Sequence, residues 1–588
     1  MINRAQLLSD LQTVLRKLEA DLLERSEEML EIQAALDREY RRAKSADRTA
    51  QGYETWRADD ITQVAAGWVL SCVFVRFLED NELVNPPQIA GPGERLSRAR
   101  DEHELYFRAH PEETDREYLL KIFSDLASLP GVSDIFGEYN PIHKLPNWIS
   151  GDMAGELLVF FQKIDADTGA LIHDFTDPGA WDTRFLGDLY QDLSEAAQKK
   201  YALKQTPEFV ESFILDYTLD PAIQTFGLNE VRLIDPTCGS GHFLLGAFQR
   251  ILDQWFRSAP GTSARELVQR ALDVVYGVDL NPYAVAIARF RLLVAALKAS
   301  EVDSLKQAPG FRMHVTAGDS LLHGRRFGEL DFKNETIDLS RVGGLEHVYY
   351  AENLTELNRI LGQQYHVVVG NPPYITVKDK ALNQAYRNRY KQSCHRQYSL
   401  GVPFAERFFQ LAIYGYDTEP GGYVGMITAN SFMKREFGKK LIEDFLPRID
   451  LTHVIDTSGA YIPGHGTPTV ILYGRHCSPI RSEVRAVLGI RGEPSTPDDA
   501  AQGQVWRSIV ESLDRVDTQN EFVSVTDIPW ETFAKHPWSI GGGGAAELKE
   551  FIDHNSHQLL AGLVSLIGFV CMTRADDVYF ATAIPARS

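Results

Sequence analysis

The chain has 588 residues, 44% of them hydrophobic and 24% charged; this is the composition of a globular protein and excludes wholesale disorder, and the length suits roughly two to four domains. Lys and Arg number 60 against 81 Asp and Glu, a formal charge of −21. That excludes a uniformly basic coat for nucleic acid, although a concentrated basic face on an acidic chain can still hold phosphates.

From the amino terminus to about residue 45 the pattern is helical. Leu7, Leu8, Leu11, Val14, Leu15, Leu18 and Leu22 recur at spacings of three and four, an apolar stripe on one helix face. Glu27 to Arg42 continues without Gly or Pro. A second apolar helix is predicted from about Ile61 to Leu83. Residues 85–115, richer in Pro, Gly and charge, read as a loop with a short helix, and helical patterns resume from about Glu117 to Lys204 with a break near 130–150. Residues 1–200 are therefore expected to form a mainly α-helical N-terminal domain.

Beyond about 205, short apolar runs bounded by turns alternate with helical stretches: VRLIDP (231–236), VVYGVDL (274–280), HVTAGDSLL (314–322), YHVVVGNPPY (365–374) and GYVGMITAN (422–430). Strands alternating with helices predict βαβ units and a parallel, Rossmann-like α/β sheet over 201–480. From 481 to 588 clusters of Pro, Asp and Gly read as linker, then a helix (Ala545–His554), then a strand-like segment. The last residues close no recognisable element, so the chain is expected to stop at the start of a C-terminal region. Its five cysteines lie far apart with no CxxC pair, so neither a metal site nor a disulfide framework is predicted. The charged amino terminus lacks the apolar core of a signal peptide. The chain is read as having no stretch of about 18 apolar residues, so no membrane span is expected, and a cytoplasmic location is expected.

Asn371-Pro372-Pro373-Tyr374 directly follows the apolar run Val367–Val369. Two prolines at a strand's carboxyl end build a rigid loop where ligands sit in open α/β sheets. The loop offers an amide oxygen at Asn371, a carbonyl at Pro372 and an aromatic face at Tyr374, a set suited to an exocyclic amine on a planar ring. Asp235-Pro236-Thr237-Cys238-Gly239-Ser240-Gly241-His242-Phe243 forms a Gly-rich turn between a strand and a helix. Its GxG spacing, with no following Lys-Ser/Thr and an acidic residue at its start, disfavours a P-loop and suits a cationic or hydroxyl-bearing ligand. Asp279 ends the next predicted strand, and Asp319-Ser320 follow another. Carboxylates at strand ends can hold the hydroxyls of a ribose and the amine of a purine.

Taken in this order, the motifs resemble the S-adenosylmethionine-dependent N6-adenine DNA methyltransferases of the gamma motif order over about 204–475. The resemblance implies that Asp235, Thr237, Gly239, Gly241 and Phe243 hold the methionine part of S-adenosylmethionine, Asp279 the ribose, and Asp319 with Ser320 the adenine. Thr206-Pro207 matches the family's TP motif, which completes the pocket. IDTSGAYIPGHGTPTVILYGR (455–475) resembles the last hairpin of the family's sheet. Asn371, Pro372, Pro373 and Tyr374 would be catalytic. The long helical N-terminal part and PWSIGGGGAAELKEF (537–551) resemble one group in that family, the PglX methyltransferases of BREX and phage-growth-limitation defence systems, which implies double-stranded DNA and other defence-system proteins as partners.

A target base reaches such a pocket only by leaving the helix stack, so a basic surface is required nearby. Lys378, Lys380, Arg387, Arg389, Lys391 and Arg396, interleaved with Tyr386, Tyr390 and Tyr398, follow the catalytic loop, and Lys434, Arg435, Lys439 and Lys440 follow ITANSFM; the first six are the predicted phosphate contacts. The alternatives are a fused nuclease, for which the helical first two hundred residues hold no Asp and Glu-x-Lys arrangement, and a non-catalytic DNA-binding or assembly subunit, against which the intact NPPY speaks. Methylation of protein or RNA is a third, disfavoured by the basic aromatic segment.

Overall fold

The computed structural model describes residues 3–177, 181–193, 205–325, 347–416 and 419–538, with scattered residues between 541 and 564. The helical expectation holds for the N-terminal region, with one refinement. α1 (Arg4–Glu28) and α2 (Leu30–Ser45) are separate helices, because Met29 adopts an extended conformation (φ −93°, ψ 106°) between them. The break needs neither Gly nor Pro, and it lets both apolar stripes, Leu7 to Leu22 and Ile32 with Leu36, face inward.

α3 (Tyr53–Asp80) starts earlier than its apolar pattern suggests. By length and composition it is apolar enough to cross a membrane, contrary to the reading that no such run exists, but 89% of its most apolar window is buried within the protein. It is the central core helix of the N-terminal region. Within it Arg76 and Asp80 pair at 2.7 Å with neither side chain exposed, and the guanidinium also donates to the carbonyls of Phe161 and His173.

Among the described residues ten strands form one mixed sheet: β1 (Leu233–Asp235), β2 (Val275–Asp279), β3 (His314–Ala317), β4 (Val367–Gly370), β5 (Tyr423–Ala429), β6 (Asp450–Asp456), β7 (Thr469–Arg475), β8 (Glu483–Gly489), β9 (Thr518–Gln519) and β10 (Val523–Pro529). Their order is β3-β2-β1-β4-β5-β7-β6-β8-β10-β9. The first five pair in parallel, and β7 runs antiparallel to both β5 and β6. This confirms the expected α/β class, a Rossmann-like sheet beside a mainly helical region. The sheet does not end at the β6–β7 hairpin. Residues 483–529, expected as linker, add β8 parallel to β6 and β10 antiparallel to β8. The reason lies in EVRAVLG (483–489), whose Val484, Ala486, Val487 and Leu488 are buried on the existing sheet. The helix expected over Ala545–His554 is described only at scattered residues, and 565–588 lie outside the described residues, as does Cys571. Cys72, Cys238, Cys394 and Cys477 are buried free thiols.

Successive residues of the central strands point to opposite faces. Val367 and Val369 join one apolar cluster, which also takes in α1 and α3, while Val368 joins the cluster on the other face. The N-terminal helices therefore share a continuous core with one side of the sheet. The joint includes Phe290, in the helix α7 (Pro282–Ala299), whose ring stacks on Phe74 at 4.4 Å and meets Phe77 edge-on at 5.6 Å. Several helices lie between them in sequence, among them α4 (Arg184–Leu193), α5 (Glu208–Asp216) and α6 (His242–Ser258). Phe290→Ala is expected to lower stability by about 3–5 kcal/mol. Urea unfolding followed by far-UV circular dichroism and by tryptophan fluorescence should shift together; a shift in only one signal would contradict a shared core.

Candidate active site

The strand order reverses between β1 and β4, and in open α/β sheets the crevice outside the carboxyl ends at such a point receives ligands. Asp235 ends β1, and Gly370 ends β4 just before Asn371. A Cβ at Gly370 would lie 2.6 Å from Asp235 Oδ1 and 2.7 Å from Thr237 Oγ1. The missing side chain is what lets the NPPY loop start against the first carboxylate.

Asp235 is 1% exposed and accepts hydrogen bonds from Thr237 N (2.9 Å) and Thr237 Oγ1 (3.1 Å). Burial, with Asp279 adding to it, pushes its carboxyl up to about 8. The turn after it needs φ > 0 at Gly239 (+52°) and Gly241 (+85°), and at the latter a Cβ would meet Ala288 at 2.9 Å. The backbone N–H of Gly239 donates to Asp279 Oδ2 at 2.9 Å, so the ends of β1 and β2 are tied directly. Asp279 also accepts from Asn281 N at 2.8 Å and, buried, is pushed up to about 6. Leu280, beside it, is 48% exposed.

Asp319 is buried and accepts from Leu321 N (2.9 Å) and Leu322 N (3.2 Å) through Oδ1. Its Oδ2 takes the phenol of Tyr386 at 2.6 Å. Ser320 Oγ donates to Pro236 O at 2.6 Å, which closes the loop after β3 onto that after β1. Tyr386 belongs to α9 (Lys380–Arg389), which follows α8 (Leu354–Leu361) and the NPPY loop.

The Asn371 Nδ2 lies 3.2 Å from Thr206 Oγ1 and 3.3 Å from His465 Nε2. Thr206 is buried, and Pro207 precedes the first turn of α5. Pro372 is buried, Pro373 and Tyr374 half-buried. The Tyr374 ring sits 5.7 Å from His465, and burial raises its phenol.

The cleft is lined by Thr206, Asp235, Thr237, Gly239, Phe243 and Asn371, together with Gly187 and Gln191 of α4, so the helical region supplies part of its wall. At Gly187 a Cβ would lie 3.0 Å from Ser240 Oγ, 3.1 Å from Gln205 Nε2 and 3.4 Å from His242 Nε2. The Gln205 and His242 nitrogens are buried without a hydrogen-bond partner among the described residues. Burial and the charges of Arg291 and Arg184 hold His242 down at about 3. A glycine-lined space with two such polar groups fits a small charged group, and the strand-end carboxylates fit a hydroxylated, amine-bearing one. Together they suit an amino-acid nucleoside such as S-adenosylmethionine.

The predicted basic residues separate into two sets. Lys378, Lys380, Lys391 and Arg396 are exposed. Arg389 instead donates to Gly324 O at 2.7 Å, and Arg387 donates to Arg396 O and lies over the Tyr398 ring. The interleaved Tyr386, Tyr390 and Tyr398 are buried rather than offered for stacking, their hydroxyls bonded to Asp319, Leu321 O and Asn383 O. Lys440 Nζ donates to Lys391 O at 3.2 Å and Arg396 lies 3.9 Å from Glu436, so the segment carrying exposed Lys434, Arg435 and Lys439 packs beside the one carrying Lys391 and Arg396.

Residues 273–462 match the family model described as Eco57I restriction-modification methylase. The chain is 48% identical over 607 residues to the adenine-specific methyltransferase PglX of Streptomyces coelicolor, an alignment covering 100% of this chain and 49% of the relative. It is 26% identical over 312 residues to the type II methyltransferase M.PaeR7I of Pseudomonas aeruginosa, covering 50% of this chain and 46% of that protein. A cryo-EM structure of a DrdV–DNA complex shares the fold with a TM-score of 0.51 at 14% identity, over 91% of this chain and 46% of that one. The chain thus spans about half the length of these relatives. The resemblance to N6-adenine methyltransferases, and to PglX among them, is borne out.

The raised carboxyl of Asp235 gives a test of the site's electrostatics. The folded state holds this proton more tightly than the unfolded one, so stability present at low pH is lost as pH rises from about 4 to about 8. Asp235→Asn keeps an acceptor for Thr237 and removes the charge. Its urea midpoint should fall less than that of the unaltered protein between pH 5 and pH 8; equal falls would mean that the carboxyl is not held protonated.

Proposed function

We infer that this chain is the catalytic part of an adenine-specific DNA methyltransferase, one that moves a methyl group from S-adenosylmethionine to the N6 amine of an adenine turned out of the duplex. The observation that carries the reading is the contact between the two halves of the cleft. Asn371, at the head of the NPPY loop, touches Thr206, whose neighbours are the carboxylate and Gly-rich turn after β1.

S-adenosylmethionine, when bound, supplies an electrophilic methyl group on a sulfonium sulfur. Asp279 would accept from its ribose hydroxyls, Leu280 would cover the purine, and Asp319 would accept from the purine amine beside the Tyr386 phenol. Gln205 and His242 would donate toward the amino-acid carboxylate in the space left by Gly187. A cation next to Asp235 would favour the charged form of that side chain, which burial otherwise opposes.

On the target side, Asn371 Oδ1 and the Pro372 carbonyl would accept the two amine hydrogens and favour a more tetrahedral, more nucleophilic nitrogen. Preorganised partners of this kind contribute about 3–4 kcal/mol each at a transition state. Tyr374 would replace part of the stacking lost when the base leaves the helix. No base need act before transfer, since the amine becomes acidic only once it carries the methyl group.

Lys391, Arg396, Lys434, Arg435 and Lys439 would offer the surface best suited to DNA phosphates, with Lys378 and Lys380 closer to the loop in sequence; Arg387 and Arg389 act instead within the fold. The similarity to PglX supports a place in a BREX-like anti-phage system, with other defence proteins as partners, in the cytoplasm.

Asn371→Ala should abolish transfer of labelled methyl groups to unmethylated DNA while leaving cofactor affinity by calorimetry within about threefold; a large loss of cofactor binding would overturn the division of labour. Lys391→Glu with Lys434→Glu should weaken DNA binding alike for all sequences and reduce the salt slope by about 1 per lost contact. An unchanged slope in electrophoretic titrations would remove this surface from the interface.

A further inference from the structure

We propose that His465 is a positioning residue that fixes which end of the Asn371 amide faces the target amine. The proposal rests on the methyltransferase reading of the site but is argued from hydrogen-bond chemistry alone. His465 lies in the loop between β6 and β7. Its Nδ1 is 3.1 Å from the carbonyl of Pro463. A carbonyl only accepts, so Nδ1 carries the proton. In a neutral imidazole the remaining nitrogen is then an acceptor. With the ring neutral, Nε2, 3.3 Å from the Asn371 side chain, faces a donor there, the NH2 end. Thr206 Oγ1 meets the same NH2 at 3.2 Å. A hydroxyl accepts as readily as it donates, so Thr206 accommodates this orientation and His465 selects it, with the oxygen end turned to the other side of the amide.

The orientation decides the chemistry. A target amine brings two donors, so Asn371 contributes to its binding through oxygen and opposes it through nitrogen. A flipped amide would set donor against donor at the reacting atom. His465 is itself held firmly. Ile462 is buried in the core, and the His465 N–H donates to Ile462 O at 3.1 Å. The loop is closed at its base by Thr457 and Thr469, whose hydroxyls meet at 2.7 Å, and by Asn430 N, which donates to Pro468 O at 3.0 Å.

The test uses the full-length protein with unmethylated DNA and labelled S-adenosylmethionine. His465→Leu removes the acceptor, and its single-turnover rate should fall about 10- to 100-fold, with cofactor affinity by calorimetry within about threefold. His465→Gln supplies a carbonyl acceptor and should recover most of the rate. His465→Lys supplies only donors and should be at least as slow as the Leu variant. Normal transfer by His465→Leu, or failure of His465→Gln to exceed it while both bind cofactor, would overturn the proposal. A second measurement is independent of activity. Long-range proton–nitrogen spectra of histidine-labelled protein, with the His465 signal assigned by its loss in the Leu variant, should show Nδ1 protonated. A proton on Nε2 would overturn the positioning role even if DNA is methylated, and absence of methylation with Nδ1 protonated would count against the proposed activity while leaving the orientation of the amide supported.

Discussion

The cleft depends on how closely the ends of β1 and β4 approach. Backbone at Gly370 comes so near the Asp235 carboxylate and the Thr237 hydroxyl that even a methyl group would collide with both. Parallel strands are spaced by their hydrogen bonds at about 4.8 Å, so a glycine at the end of one and a short acidic side chain at the end of the next set two chemically different loops side by side. One loop is rich in glycine and N–H groups, the other stripped of N–H groups by two prolines. The asymmetry gives the two flanks of one crevice different chemistry, N–H groups and glycines on one and a rigid carbonyl with an aromatic ring on the other.

The helical region is part of this arrangement rather than an appendage to it. It shares a core with the sheet through Phe74, Phe77 and Phe290, and α4 brings Gly187 to the cleft wall. A second route runs through Asp379. One of its oxygens caps α9 at Ala381 N, and the other accepts from Thr49 Oγ1 (2.8 Å) and Ala50 N (2.7 Å), in the link between α2 and α3. α9 in turn carries Tyr386 to Asp319. A chain of hydrogen bonds therefore joins the N-terminal helices to the carboxylate after β3.

Much of this was legible in the chain itself. The five strands β1 to β5 stand out as short apolar runs, and each predicted site residue of the cleft follows one of them or, as with Thr206, precedes the first. The signals that failed were those whose meaning depends on partners far away in sequence. Tyr386 reads as an aromatic in a basic segment, yet its partner is 67 residues earlier; His465 is an ordinary loop histidine until the fold sets it against Asn371, 94 residues before. Arg389 counted as a surface charge because no local pattern reveals the Gly324 carbonyl that holds it. The strands after 480 were hidden by the turn residues around them, and α3 was recognisable as apolar but not as an enclosed core helix.

Among the described residues the outermost strands of the sheet are short, four residues in β3 and two in β9. Broad sheets with long bare margins invite a second chain to zip onto them. On one side the margin is the four residues of β3; on the other, β9 pairs with only Ser524 and Val525 of the seven-residue β10, which closes on Pro529, a residue with no N–H to offer an added strand.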